Sequence, residues 1–161
     1  MTKFVLAGGC FWCLDSAYSQ FRGIEDVTCG YTGGKVANPT YEQVCDGNTQ
    51  HAEVVSIEFD ESVISAEAIL DIFFTLHDPT QLNRQGGDVG TQYRSAMFFD
   101  SAEQEDVFSQ SIERAKEIWG DTMGWVPWQR PGFDLGLQLE KCLADNLGIR
   151  GIVLGSHGLF T

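Results

Sequence analysis

A cysteine at the head of a helix, with a second thiol one turn away, can act as a nucleophile at neutral pH. The stretch Gly8-Gly9-Cys10-Phe11-Trp12-Cys13 has that pattern. Phe4 to Ala7 is a short apolar run, Gly8 and Gly9 permit a tight change of direction, and from there Phe11, Leu14, Ala17, Tyr18 and Phe21 recur at helical spacing. Cys10 is therefore expected at or just before a helix N-terminus, where unpaired backbone N–H groups and the positive end of the helix dipole favour a thiolate. Cys13 is placed to share the developing charge. A carboxylate joins them from further along the chain: in the run from His51 to Asp60, Val55, Ile57 and Phe59 alternate on one face, and Glu53 has the same parity. Held among core-facing positions, a carboxyl group has its pKa raised and is suited to giving up a proton.

Two ordinary readings compete with a reactive pair. A free cysteine is usually a small buried hydrophobe, and Cys-x-x-Cys can be half of a structural zinc site. Cys29, Cys45 and Cys142 are too widely spaced to supply a second such pair, so the zinc reading is weak. The Gly-Gly lead-in favours redox or catalytic use.

The elements that must position these groups follow in order. Ile24 to Thr32 reads as a strand, with Val27, Cys29 and Tyr31 alternating before Gly33-Gly34 breaks it. Thr40 can cap a short helix from Tyr41 to Cys45. After the strand that carries Glu53, Ser65 caps a helix to Leu76, stopped by His77-Asp78-Pro79. Thr80 to Gly90 is a polar, glycine-rich loop that opens on no helix and so lacks a nucleotide-binding fingerprint. Thr91 to Asp100 is expected to be a strand, and Ser101 to cap a long helix to Trp119. This order predicts an α+β fold of the ferredoxin-like, split βαβ kind: a two-layer sandwich with a mixed or antiparallel sheet and helices on one face. Beyond it, Trp125, Pro127, Trp128 and Pro131 suggest an irregular segment, Leu135 to Asn146 a helix and Ile149 to Leu154 a last strand; His157 is expected at the surface.

Composition sets the outer bounds. A chain of 161 residues, 43% hydrophobic and 12% aromatic, is expected to be one catalytic domain over residues 1–161 with a real core. A net charge of −13 with no basic cluster argues against nucleic acid and against anionic membranes. No run is long enough to span a bilayer, and Met1-Thr2-Lys3 leads straight into a strand, so a cytoplasmic monomer is expected.

Six blocks then combine. Gly8-Gly9-Cys10-Phe11-Trp12, Gly30-Tyr31-Thr32-Gly33-Gly34, Asn38-Pro39-Thr40-Tyr41-Glu42-Gln43-Val44-Cys45, Gly47 with His51-Ala52-Glu53-Val54-Val55, His77-Asp78-Pro79-Thr80, and Asn83 through Ser95 stand in one order. Together they resemble the A-type peptide methionine sulfoxide reductases. The family-like core runs over about residues 4–118, and the segment 119–161 diverges.

The resemblance implies that Cys10 is the nucleophile and that Phe11 and Trp12 hold the substrate's methyl group. It implies that Glu53 donates a proton to the sulfoxide oxygen and that Tyr41, Tyr93 and Asp88 bind that oxygen and the reacting centre. It implies methionine S-sulfoxide, free or within oxidised proteins, as substrate, no metal or organic cofactor, and thioredoxin or another dithiol as electron donor. Cys13 is the first choice for resolving the sulfenic acid left on Cys10, by its spacing; Cys142, from the C-terminal region, is the alternative. Cys45 and Cys29 are expected to be buried packing. A different class of reading keeps only the Cys-x-x-Cys: a general thiol–disulfide oxidoreductase or a redox-regulated binding module. Glu53 separates the two, because exchange between thiols needs no acid aimed at an oxygen.

Overall fold

The computed structural model describes residues 1–120, 123–126, 133–145, 148 and 151–157. In chain order the elements are β1 (Thr2–Ala7), α1 (Phe11–Tyr18), β2 (Ile24–Thr32), α2 (Tyr41–Cys45), β3 (Ala52–Phe59), α3 (Ala66–Leu76), β4 (Arg84–Gln85) and β5 (Asp88–Val89). A 3₁₀ turn at Thr91–Tyr93 leads into β6 (Ala96–Phe99), α4 (Ala102–Trp119), β7 (Met123–Val126), α5 (Phe133–Asp145) and β8 (Gly151–His157). Six strands form one sheet in the order β2-β3-β1-β6-β8-β7. The β2, β3, β1 and β6 neighbours are all antiparallel, which is the expected split βαβ arrangement. On the far side of β6, β8 and then β7 add in parallel.

One face of the antiparallel strands is buried under α1, α3 and α4. Phe4, Leu6, Val55, Ile57, Phe59, Met97 and Phe99 meet Leu14, Tyr18, Ile69, Phe73, Phe108 and Ile112 in a single core cluster. Phe4 sits edge-on to both Phe59 and Phe108, at centroid distances of 5.1 and 5.0 Å. Leu14 and Tyr18 pin α1 to this core, each contributing roughly 2 kcal/mol by burial. The Tyr18 hydroxyl donates to the Ile69 carbonyl at 2.9 Å, so the phenol is buried without stranding a polar atom. The strands' alternate residues, Val5, Ala7, Ala52, Val54, Ala96 and Phe98, form a smaller cluster on the other face. Among the described residues no helix is long and apolar enough to cross a membrane.

Several local expectations are corrected. Thr91 to Tyr93 is a turn rather than the start of a strand: Tyr93 N–H donates to the Gly90 carbonyl and Arg94 N–H to that of Thr91, so these groups are used locally before β6 begins. The loop before it holds a two-stranded ribbon, with Gln85 opposite Asp88 and Gly86 at positive φ in its turn. Helix α1 ends at Tyr18, leaving Phe21 half-exposed. The stretch around Trp125 is a strand, because β8 provides a parallel partner that no local pattern announces. Pro127, Trp128 and Pro131, and the side chains of Trp125 and His157, lie outside the described residues.

His77 closes α3 beneath the turn that precedes Cys10. Its Nδ1 donates to the Phe73 carbonyl at 2.7 Å and its Nε2 accepts from the Ser95 hydroxyl at 3.0 Å. A side chain on Gly8 would meet Phe73 at 2.9 Å and His77 at 3.0 Å, so helix α3 backs directly onto that turn. Burial holds the His77 pKa down to about 4, from an ordinary value of 6.5. The unfolded chain therefore takes up this proton first as pH falls. Stability from this group is full above about pH 6.5 and is lost progressively towards about pH 4, by as much as roughly 3 kcal/mol. Denaturant unfolding at several pH values should show that slope in the native chain and its loss in His77→Phe. An unchanged slope in the variant would assign the titration elsewhere.

Candidate functional site

The register of the two central strands brings the first two functional groups together. Leu6 of β1 pairs with Val55 of β3, so Glu53, two residues earlier in β3, comes beside the Gly8-Gly9 turn at the end of β1. Cys10 is the N-cap of α1, with extended backbone (φ −62°, ψ 122°) and no side-chain cap from its own thiol. Its carbonyl accepts from Cys13 N–H at 3.1 Å, which starts the helix. The cap is supplied from outside: Glu53 Oε2 accepts from Phe11 N–H at 3.1 Å. The parity argument holds, since Glu53 is only 3% exposed on the helix-facing side of β3. Burial raises its carboxyl pKa above the usual range, the Phe11 N–H partly opposes this, and the Asp88 carboxylate adds a further upward push.

Around this pair the other expected residues gather. Phe11 is buried and Trp12 is 65% exposed, their rings 5.5 Å apart, so the first turn of α1 offers an open indole beside a fixed phenyl. Tyr93, at the end of the 3₁₀ turn, has its pKa pushed up to about 12 by burial and then by the Glu53 and Asp88 carboxylates. Asp88 also acts on Cys13. Tyr41 is the first residue of α2, which Thr40 and Gln43 hold in a reciprocal capping box. Its ring is exposed, and Cys45, Glu53 and Cys10 all bear on its hydroxyl.

The five thiols separate by environment. Cys13 is exposed, and its pKa is raised by partial desolvation and then by the charge of Cys10. Cys29 is pushed up to about 11, by desolvation first and then by the Asp15 carboxylate, so it stays a thiol. Cys45 is exposed, which corrects the packing expectation: α2 is a single short helix whose one buried residue is Val44. Cys142, half-buried on α5, is raised by desolvation, with Lys116 and Asp145 as its charged neighbours; neither belongs to the group around Cys10. Among the described residues, no three His, Cys, Asp or Glu side chains are grouped to hold a metal ion.

Two neighbours were not singled out from the sequence. Tyr31 pairs with Glu53 across β2 and β3, and its ring lies 5.5 Å from that of Phe11. Its parity with Val27 and Cys29 was the available signal. Gln85 has no such signal, because it lies in an aperiodic loop. It is locked by Asp78, whose N–H donates to Gln85 Oε1 and whose carbonyl accepts from Gln85 Nε2, both at 3.0 Å. Gly9, at φ +93°, lies so close that a Cβ there would be 2.7 Å from Gln85 Cβ. Only glycine satisfies both the dihedral and the contact. Because Gln85 pairs with Asp88, the same ribbon that backs Gly9 also carries Asp88 to the thiols.

Comparison with known proteins agrees with this geometry. The family model described as peptide methionine sulfoxide reductase matches residues 2–123, which take in every residue of the group around Cys10. The chain is 60% identical, over 121 residues, to the peptide methionine sulfoxide reductase MsrA of Paenarthrobacter aurescens, a match covering 75% of this chain and 70% of that one. Among solved structures, Mxr1 from Saccharomyces cerevisiae in reduced form is similar with a TM-score of 0.73 and 28% identity, over 96% of this chain and 75% of the other. Mxr1 in complex with Trx2 is similar with a TM-score of 0.54 and 25% identity, over 74% and 68% of the two chains. With a matching family model over most of its length, a relative of this identity and a cysteine at a helix head beside a buried acid, the chain belongs to the peptide methionine sulfoxide reductase family.

Proposed function

We propose that the chain reduces methionine S-sulfoxide to methionine, with the Cys10 thiolate attacking sulfur and Glu53 protonating oxygen. The observation that carries this reading is the buried Glu53 carboxyl fixed on Phe11 N–H, one residue from Cys10. A sulfoxide sulfur is a good electrophile only when its oxygen is protonated or strongly hydrogen-bonded, so an acid with a raised pKa beside the thiol is the group the reaction lacks in water. Tyr41, Tyr93 and Asp88 bind the oxygen and the polar part of the reacting centre, while Phe11 and Trp12 take the methyl group. The sulfur–oxygen bond breaks as oxygen passes to Cys10, methionine leaves, and Cys10 becomes a sulfenic acid.

Cys13 then condenses with that sulfenic acid, releasing water and forming a Cys10–Cys13 disulfide. The charge of Cys10, which bears on Cys13 one helical turn away, supports Cys13 over Cys142, whose charged neighbours belong to α4 and α5. A thioredoxin-like dithiol restores both thiols by exchange; the similar Mxr1 is known in complex with Trx2. The cycle draws on thiols and one carboxylic acid, so it calls for no resident metal or prosthetic group. We read residues 1–161 as a single catalytic domain acting as a cytoplasmic monomer on free methionine sulfoxide and on oxidised proteins.

A single-turnover assay of pre-reduced protein with S-epimer methionine sulfoxide and no reductant tests this. One equivalent of methionine should form, together with a Cys10–Cys13 disulfide by mass spectrometry. Glu53→Gln should slow the first turnover by about 10²- to 10⁴-fold; a rate near the native one would remove Glu53 as the acid, and no methionine from the native chain would leave only thiol exchange. In Cys13→Ser, the first methionine should be released at the native rate while Cys10 stays trappable as sulfenic acid and recycling by thioredoxin collapses. A Cys10–Cys142 disulfide in the native chain would instead give the resolving role to α5. Because Glu53 must be protonated to act, the single-turnover rate should fall as pH rises through its elevated pKa. An identical alkaline fall in Glu53→Gln would remove that acid role.

A further inference from the structure

We propose that His51 is a positioning residue for the reduction, tying the segment that carries Tyr41 to the strand that carries Glu53. The inference rests on the reading of those two residues given above. His51 is only 8% exposed and stands immediately before β3, two residues from Glu53. Its ring is bonded at both ends to the chain that leads to α2. Gly34 N–H donates to Nδ1 at 3.1 Å, and the Val36 carbonyl lies 2.7 Å from Nε2.

Those two partners fix the ring's protonation. A carbonyl can only accept, so Nε2 must carry hydrogen; a backbone N–H can only donate, so Nδ1 must be bare. The neutral imidazole with its proton on Nε2 is the one form that satisfies both. Asparagine could accept from Gly34 but would reach nothing at Val36, while glutamine could reach Val36 but would offer no acceptor at the Nδ1 position.

The surrounding backbone is built around this ring. Lys35 N–H donates to the Thr49 carbonyl at 2.9 Å and His51 N–H to the Thr49 hydroxyl at 3.3 Å. A Cβ on Gly34 would be 2.4 Å from the Thr49 carbonyl and 2.5 Å from the imidazole, so only glycine allows the approach. On the same turn, Arg94 donates to the Gln50 carbonyl at 3.0 Å and to that of Thr91 at 2.7 Å, which links it to the turn bearing Tyr93. Between Val36 and the Thr40 cap the chain belongs to neither sheet nor helix, and Tyr41 itself is 56% exposed. The position of its hydroxyl relative to Glu53 is therefore set largely by where His51 anchors Gly34 and Val36. A displacement of about 1 Å in a positioned group can cost as much as 10²-fold in rate.

A double-mutant cycle on single-turnover methionine formation tests this, with folding checked by thermal unfolding. His51→Ala should lower the rate about 10- to 100-fold, and His51→Asn and His51→Gln, each keeping one of the two bonds, should each recover part of it. In a Tyr41→Phe background, where the hydroxyl to be positioned is gone, the further loss from each His51 variant should shrink to about twofold or less. Equal losses in both backgrounds would overturn the proposal and leave His51 a general structural residue. A Tyr41→Phe rate equal to the native one would overturn it as well, whereas the reductase reading itself would still be decided by methionine formation in the native chain. Should His51→Ala fail to fold, the cycle is read on His51→Asn and His51→Gln alone.

Discussion

The hydrogen bond from Phe11 N–H to Glu53 joins two requirements that oppose each other. A helix N-terminus favours a negative charge nearby, and Phe11 N–H is one of the orphan donors that α1 must satisfy. Burial of the carboxyl opposes the charge, and the Asp88 carboxylate nearby opposes it further. The net result is a carboxyl pKa raised rather than lowered. In the mechanism proposed here that outcome is what makes the group useful: the hydrogen bond holds it in place as a cap, and its surroundings shift it toward proton donation. The arrangement depends on strand register. A slip of one residue between β1 and β3 would send Glu53 to the opposite face of the sheet and the whole Val55, Ile57 and Phe59 stripe with it, so the core that fixes the fold also fixes the acid.

The same neighbourhood sorts the thiols. Cys13 feels Cys10 directly, whereas Cys29 is kept protonated by burial and by Asp15. Nucleophilic character requires the thiolate, so Cys29 is a poor competitor despite lying among the same groups. Cys45 differs again: it bears on the Tyr41 hydroxyl. Sequence spacing made Cys13 the natural partner of Cys10, and the electrostatic environment separates the remaining cysteines in a way that spacing could not.

Where the sequence was legible, a period linked residue to environment. The Gly-Gly break followed by helical spacing located Cys10 at the head of α1, and strand parity put Glu53 on the buried face. The antiparallel four-strand order followed from the succession of elements. Tyr41, Asp88 and Tyr93 were legible only through the joined motifs, because they lie on a short helix, a ribbon and a turn where no period operates. Thr91 to Tyr93 differs from the strand expectation because the N–H groups of Tyr93 and Arg94 are satisfied locally, by the Gly90 and Thr91 carbonyls. Cys45 was misjudged because α2 is too short to have a buried face beyond Val44. Gln85 and the ring bonds of His51 depend on contacts between loops, which leave no trace in composition or spacing.

The C-terminal strands follow a different logic from the core. The family model ends at residue 123, where β7 begins, yet the likeness to reduced Mxr1 extends over 96% of the chain. Fold is thus shared beyond the region of family-like sequence. Strand β6 is buried along its whole length, from Ala96 to Phe99, and without β8 its outer edge would present unpaired backbone N–H and carbonyl groups beside those residues. Parallel pairing with β8 removes that edge through main-chain hydrogen bonds, which many sequences can supply, and β7 adds on β8 in the same way. Val126 and Ile152 contribute the buried side chains described there. A segment whose first task is to cover an edge is constrained in backbone and in a few apolar positions. The group around Cys10, in contrast, lies wholly within the residues that the family model matches.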